Sequence, residues 1–281
     1  NIICLPGVHT EMVQMFENWI VPYIQRKSGQ SRKRYTRVIN TFGMSESILD
    51  EKVERIIKSD KYLSYSTLVN DGIVSIHIIL RDMDEIEAVS ILDNIEEEIC
   101  NELGEFVFSK SEETLENIIS NILKKNAITL AVAESCTGGL VSNLLTNIQG
   151  SSAFFLGGIV SYSNKIKKNL LNVSEKLITE YGVISAEAAK AMAAGARERM
   201  QADIGLAVTG IAGPTGIEEG IDQTKPVGLV YVATAINDDL ECKEYCFFGS
   251  RVDIKKRAAN ATLNTLRLLL SGKIEKTENI S

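Results

Sequence analysis

The sequence predicts an α/β protein in two parts: a small α+β domain, then a larger domain of three α/β/α layers around a mixed sheet. Three observations carry this. From Glu112 onward, short apolar runs alternate with amphipathic stretches, the strand–helix order of a layered sheet. The last two apolar runs are joined by Asn237-Asp238-Asp239, which reads as an antiparallel hairpin and makes the sheet mixed. Twelve of the twenty glycines fall between Glu134 and Gly220, where the backbone must turn sharply or approach a ligand closely. The 281 residues suffice for two domains. The expected boundaries are 1–28 for a domain remnant, 29–110 for the α+β domain, 111–274 for the layered domain and 275–281 for a tail.

The elements follow in order. Residues 1–25 carry the turn Pro6-Gly7, then Met12, Met15, Phe16, Trp19 and Ile20 at helical spacing, too few to form a core alone. Asn1 stands first and no signal segment follows, so the chain reads as beginning inside a domain. Arg26, Lys27, Arg32, Lys33, Arg34 and Arg37 form a basic run, read as a solvated linker and first strand, with nucleic-acid contact as the other possibility. A helix is expected over Ser45–Ser59 and an alternating strand over Gly72–Leu80, with His77 on its outward face. Residues 81–116 hold thirteen acids against Arg81 and Lys110, with Ile91, Ile95 and Ile99 at helical spacing. This is an acidic-faced helix followed by a strand at Phe106–Ser109.

In the second part, helices are expected at Leu115–Lys125, Thr137–Ile148, Lys165–Leu171, Ser174–Tyr181, Ser185–Gln201 and Val252–Leu270. Strands are expected at Ile128–Ala133, Phe154–Tyr162, Ile204–Val208, Val227–Ala235 and Glu241–Phe248. Ser185 is a suitable N-cap, with Glu187 in the first turn.

Composition narrows the function. The net charge of −7 argues against a general nucleic-acid binder. No run of about 18 apolar residues exists to span a membrane. The five cysteines (Cys4, Cys100, Cys136, Cys242, Cys246) are odd in number, so no disulfide framework is expected, and a reducing cytoplasm fits. Cys242 and Cys246 share a strand face, but two ligands alone do not make a zinc site. With only His9 and His77, a Ser-His-Asp hydrolase would have to draw on one of these two.

Four constellations could carry chemistry. Ala133-Glu134-Ser135-Cys136-Thr137-Gly138-Gly139 follows a strand and opens a helix, where free N–H groups can hold an anion or a developing oxyanion. Ser135 or Thr137 could equally serve as a plain cap, and Cys136 could compete as nucleophile or be a small buried residue. The second is Tyr162 through Lys167. A serine needs a base, and with histidines so scarce a lysine is the natural one if burial lowers its pKa; the alternative is a surface lysine in a Lys-rich helix start. The third, Val208-Thr209-Gly210-Ile211-Ala212-Gly213-Pro214-Thr215-Gly216, lacks the P-loop ending and the dinucleotide spacing, so it says anion or close approach and no more. The fourth is Gly249-Ser250-Arg251, where an arginine at a strand–helix mouth suits a phosphate or simply faces solvent.

Residues 112–271 resemble the CinA family, the competence/damage-inducible proteins. The resemblance rests on Ala133–Gly139, Gly150-Ser151-Ser152-Ala153-Phe154-Phe155, Tyr162-Ser163-Asn164, Gly210-Ile211-Ala212-Gly213-Pro214 and Lys225-Pro226-Val227-Gly228. The middle segment is similar to the family's KH-like domain. Leu5-Pro6-Gly7-Val8 with Glu11-Met12 resembles the end of its molybdopterin-binding-like N-terminal domain, so any pyrophosphatase activity of that domain is not expected here. The resemblance implies a nicotinamide-nucleotide amidohydrolase, converting nicotinamide mononucleotide (NMN) and water to nicotinate mononucleotide and ammonia. It implies Ser135 as nucleophile, Lys167 as base and Tyr162 beside them. It implies substrate contacts from Thr137, Gly138, Gly139, Ser152, Thr209, Gly210, Gly213 and Arg251. The N–H groups around Thr137-Gly138 would serve as the oxyanion hole. No cofactor or metal is expected; a homo-oligomer is, and a nucleic-acid or membrane partner is not.

Two departures stand out. Ile217 replaces a glycine, and the link Glu218–Thr224 is longer than the family's, while His9 stands where the family tends to have proline. The rival reading is a non-catalytic competence or DNA-damage interaction protein that binds nucleic acid through the KH-like domain. Its support is the basic run; against it stand the net charge and the missing Gly-x-x-Gly clamp. A nucleotide-binding sensor without turnover is a third reading.

Overall fold

The computed structural model describes residues 2–27, 33–58, 61–216 and 221–278, with side chains of the last helix described to residue 272. Asn1, Arg32, Ser59, the link residues 217–220 and the tail's last residues 279–281 lie outside them.

The chain opens with α1 (His9–Met15), a π-helical turn (Phe16–Ile20) and α2 (Val21–Lys27). The small domain follows. It contains β1 (Arg34–Phe42), α3 (Glu46–Ile56), β2 (Leu63–Asn70), β3 (Ile73–Arg81), α4 (Glu85–Leu103) and β4 (Val107–Ser109). Its sheet runs β2-β3-β1-β4 with antiparallel pairings throughout. Alternation in β3 points Val74, Ile76, Ile78 and Leu80 at Leu49 and Val53 of α3 and at Leu92, Ile95 and Ile99 of α4. Strand β2 is not among the expected elements, because its hydroxyl-rich LSYSTLVN lacks a clean apolar alternation. Within the basic run, Arg37 is spent internally: its guanidinium donates to Asp93 at 2.7 Å and pairs with Glu96 at 3.5 Å on α4.

The larger domain carries α5 (Leu115–Lys125), β5 (Leu130–Glu134), α6 (Leu140–Thr146), β6 (Phe155–Val160), α7 (Asn164–Leu171), α8 (Glu175–Tyr181), α9 (Ala186–Met200), β7 (Ile204–Gly210), β8 (Leu229–Ile236), β9 (Asp239–Cys246) and α10 (Arg251–Glu278). The sheet order is β6-β5-β7-β8-β9, parallel between β5 and its two neighbours and antiparallel beyond β7. One face packs on α5, α6 and α10 through Leu115, Ile119 and Leu123, with Val141, Leu145, Leu263 and Leu266. The other face is alanine-rich (Ala131, Ala133, Ala207, Ala233) and receives Ala189, Met192, Ala193 and Ala196 of α9. Small residues let α9 lie close: a Cβ on Gly205 would stand 2.0 Å from the Ala193 carbonyl oxygen.

The two domains meet on α10. Asp71, at the β2–β3 turn, pairs with Lys256 at 3.2 Å and accepts Asn260 Nδ2 on its carbonyl at 3.0 Å. Arg267 donates to the carbonyls of Glu105 (2.6 Å) and Val107 (3.3 Å).

Chain order sets where a site can form. From β5 the chain crosses to β6 on one side, then to β7 on the other, so the loops after β5 and β7 part at the carboxyl ends of these strands. Such a switch point is where open α/β sheets bind ligands.

Candidate active site

The switch point holds a cavity of about 300 Å³, lined by Ser135, Cys136, Tyr162, Asn164, Lys167, Val183, Ile184, Gly210–Gly213, Thr215, Gly216 and Arg251. This volume lies at the lower end of the small-molecule range.

Ser135 stands one residue past β5, its N–H held by the Val208 carbonyl at 3.0 Å, and it is 6 % exposed. Lys167 comes from the first turns of α7, which Ser163 caps by accepting the Ile166 N–H. Its Nζ lies 3.0 Å from Ser135 Oγ and 2.7 Å from the Ser161 carbonyl oxygen. Lys167 is 2 % exposed and has no ion-pair partner among the described residues. Desolvation by burial lowers its pKa from 10.5 to about 8, against a smaller upward pull from Cys136 and Asp222. A buried amine near neutrality on a serine hydroxyl is an activated-nucleophile arrangement.

Cys136 lines the cavity too, but burial pushes its thiol up to about 12, so it stays protonated at neutral pH. Tyr162 is 62 % exposed at the rim, where its hydroxyl accepts Arg251 Nη2 at 2.8 Å. Arg251, the first residue of α10, also donates through Nη1 to the Gly213 carbonyl and so ties the glycine-rich loop to the rim. Lys167 meets Ser135 directly, without Tyr162 between them.

Several expected contacts fall elsewhere. The helix expected from Thr137 begins at Leu140, because the buried Glu134 carboxylate occupies the turn beneath it. Glu134 accepts the N–H groups of Gly139 (2.9 Å), Val141 (3.1 Å) and Ser142 (2.8 Å) and the hydroxyls of Thr137 (2.6 Å) and Ser142 (2.7 Å). The Gly138 N–H bonds the Ser135 carbonyl at 3.1 Å. The Thr137 hydroxyl and the Gly138 and Gly139 amides are thus committed to the turn, and these residues line a separate groove with Lys255 and Lys256. Of the amides expected around Thr137-Gly138 as the oxyanion hole, that of Gly138 is already bonded within the turn. Thr209 is fully buried behind the cavity, its hydroxyl donating to the Val183 carbonyl at 3.0 Å. Ser152 precedes β6, whereas Ser161 and Tyr162 follow it, so Ser152 sits at the far end of that strand and outside the cavity. Gly210, Gly213 and Arg251 do line it. Glu134 as the organiser of the turn, and Asn164, Val183 and Ile184 as lining, are not among the residues expected from the sequence. An acid in a strand that is otherwise apolar was the available signal for Glu134.

Among the described residues, no group of three or more His, Cys, Asp or Glu side chains could hold a metal ion, and no helix is long and apolar enough to cross a membrane.

Comparison with known proteins places this architecture. Residues 112–270 match the model of the CinA C-terminal domain, and residues 36–109 that of the damage-inducible protein CinA KH domain. A CinA-like protein of Dictyoglomus thermophilum is 38% identical over 271 residues, covering 96% of this chain and 64% of its own length. One from Kosmotoga olearia is 38% identical over 269 residues, with the same two coverages. The chain therefore spans somewhat under two thirds of the length of these curated relatives. Among solved structures, the competence/damage inducible protein CihA of Agrobacterium tumefaciens aligns with a TM-score of 0.52 at 36% identity, covering 56% of this chain and 93% of that one. The competence damage-inducible protein A of Klebsiella pneumoniae aligns with a TM-score of 0.53 at 30% identity, covering 56% and 95%. With its C-terminal match extending over more than half of its residues, the chain belongs to the CinA family of competence/damage-inducible proteins.

Proposed function

We propose that the cavity is the active site of a nicotinamide-nucleotide amidohydrolase that hydrolyses the carboxamide of NMN through a Ser135 acyl-enzyme. The observation that carries the reading is the 3.0 Å contact between a buried Lys167 amine with a pKa of about 8 and Ser135 Oγ.

The chemistry follows from the geometry. Neutral Lys167 takes the Ser135 proton as Oγ attacks the carboxamide carbon. The ammonium so formed stands beside the reacting centre and offsets the charge of the tetrahedral oxyanion. It returns the proton to the leaving nitrogen, and ammonia departs. Lys167, neutral again, takes a proton from water as the water attacks the ester and regenerates Ser135. The Ser161 carbonyl fixes the amine throughout. The cationic pyridinium of NMN withdraws electrons from the amide and lowers the barrier to attack. Arg251 supplies the charge for the substrate phosphate at the rim.

Ammonia and nicotinate mononucleotide are measured with NMN as substrate. The parent chain releases both, while Ser135→Ala loses activity by a factor on the order of 10⁴ or more, as serine nucleophiles do. A parent chain that binds NMN without turnover would contradict the reading and favour a sensor.

A further inference from the structure

Asp222 is 5 % exposed, yet its carboxylate takes no part in the Ser135–Lys167 chemistry. It lies in the link between the glycine-rich loop and β8. One oxygen accepts the Val183 N–H at 2.8 Å, and the other accepts the Ile184 N–H at 3.4 Å. Lys225 completes the arrangement. Its Nζ donates to Asp222 Oδ1 at 2.7 Å, to the Ile184 carbonyl at 2.7 Å and to the Tyr181 carbonyl at 3.0 Å. All three ammonium protons are thereby placed. Gly182 fits beneath: its φ is +83°, and a Cβ there would stand 2.2 Å from Asp222 Oδ1.

The residues held this way, Val183 and Ile184, are a wall of the cavity. Ile184 packs with Ile211 and Leu229 in a small cluster, with Val183 against it, separate from the cores on both faces of the sheet. So few apolar contacts leave the backbone of residues 181–184 dependent on the polar ties. Ser135 and Lys167 hang instead on β5 and α7, so the wall can loosen without moving them.

We propose that Asp222 and Lys225 are positioning residues, clamping Val183–Ile184 against the glycine-rich loop so that the apolar wall keeps the shape that receives the planar ring of the substrate. The inference rests on the NMN deamidase reading, and it assigns the clamp to substrate fit rather than to chemistry.

The test uses the full chain and the variants Asp222→Ala, Asp222→Asn, Lys225→Met and Gly182→Ala. NMN turnover is read at about pH 9, where Lys167 is mostly neutral, so that losing the Asp222 charge near it has little effect on the base. Amide exchange of the peptide covering residues 181–184 is read alongside. Asp222→Ala and Lys225→Met should each raise KM about tenfold or more, the scale of one or two lost hydrogen bonds, with kcat within about threefold. Exchange should accelerate by at least about tenfold in the same variants. Asp222→Asn, which keeps its acceptor oxygen, should fall between, and Gly182→Ala should reproduce the KM rise from the other side. If Asp222→Ala does not fold, Lys225→Met and Gly182→Ala decide.

Faster exchange with KM unchanged would overturn the inference, as would a fall in kcat at constant KM. A parent chain inactive on NMN would overturn the deamidase reading and this claim with it, a result distinct from an active parent whose variants bind NMN unchanged.

Discussion

Lys167 Nζ donates a 3.0 Å hydrogen bond to Ser135 Oγ across the carboxyl edge of the sheet, joining the end of one strand to the helix that follows its neighbour. Both side chains are buried where they meet, and the amine's other fixed partner is the neutral Ser161 carbonyl. Burial with no ion-pair partner among the described residues lowers the lysine's pKa to about 8, which is what the proposed role as base requires.

The first consequence is a pH dependence. The active form needs neutral Lys167, so kcat/KM should climb about tenfold per unit below pH 7 and level off above about pH 8. Lys167→Arg, which stays protonated, should show no such limb. A profile of ammonia release from pH 6 to 10 checks this.

The same burial should destabilise the fold. Lys167 has a folded pKa of about 8, below its unfolded value of 10.5, so the unfolded chain binds more protons between these values and stability rises with pH across that window. At pH 7 the penalty is up to about 3 kcal/mol. Lys167→Met should therefore be inactive yet more stable than the parent at pH 7, with the advantage fading toward pH 10. Urea unfolding of both proteins at the two pH values measures the difference.

Cys136 should be chemically silent despite facing the cavity. With its thiol pushed up to about 12, iodoacetamide at pH 7.5 should label the exposed Cys4 and Cys246 and leave Cys136 unmodified. Cys136→Ser should keep activity within about tenfold, since a serine there removes no nucleophile. Peptide mass mapping and the ammonia assay report the two outcomes.

Glu134 should be the costliest polar residue of the turn to remove. Glu134→Ala strands three amides and two hydroxyls in a buried turn, at a cost of at least about 3 kcal/mol. Activity should fall with stability, because the same turn presents Ser135. Glu134→Gln, with one acceptor oxygen left, should lose less, as seen by the shift of the urea midpoint.

Much of this was legible from the sequence because its signals are local. Leu115–Lys125 shows its apolar stripe in its periodicity, and Ser174 and Ser185 cap their helices as their types predict. Histidine scarcity made a lysine the natural base, but Ser135 and Lys167 were set apart from a plain cap and a surface lysine only by the family resemblance. What stayed hidden depends on contacts between distant residues. The amides after Ser135 look free until the Glu134 carboxylate is seen to fold under them. Ser152 looks close to Tyr162 in sequence, but a strand separates them and places them at opposite ends. Asp222 sits in a link with no pattern of its own, and only the packing of residues 181–184 gives it a partner.

The most direct measurement is acid-quenched mass spectrometry of the chain during NMN turnover, reading the peptide that contains Ser135. An adduct with the mass of the nicotinate mononucleotide acyl group is expected on Ser135, and none in Ser135→Ala, whose ammonia release is lost. Turnover of NMN that persists in Ser135→Ala, with no adduct on the parent, would contradict the Ser135 acyl-enzyme.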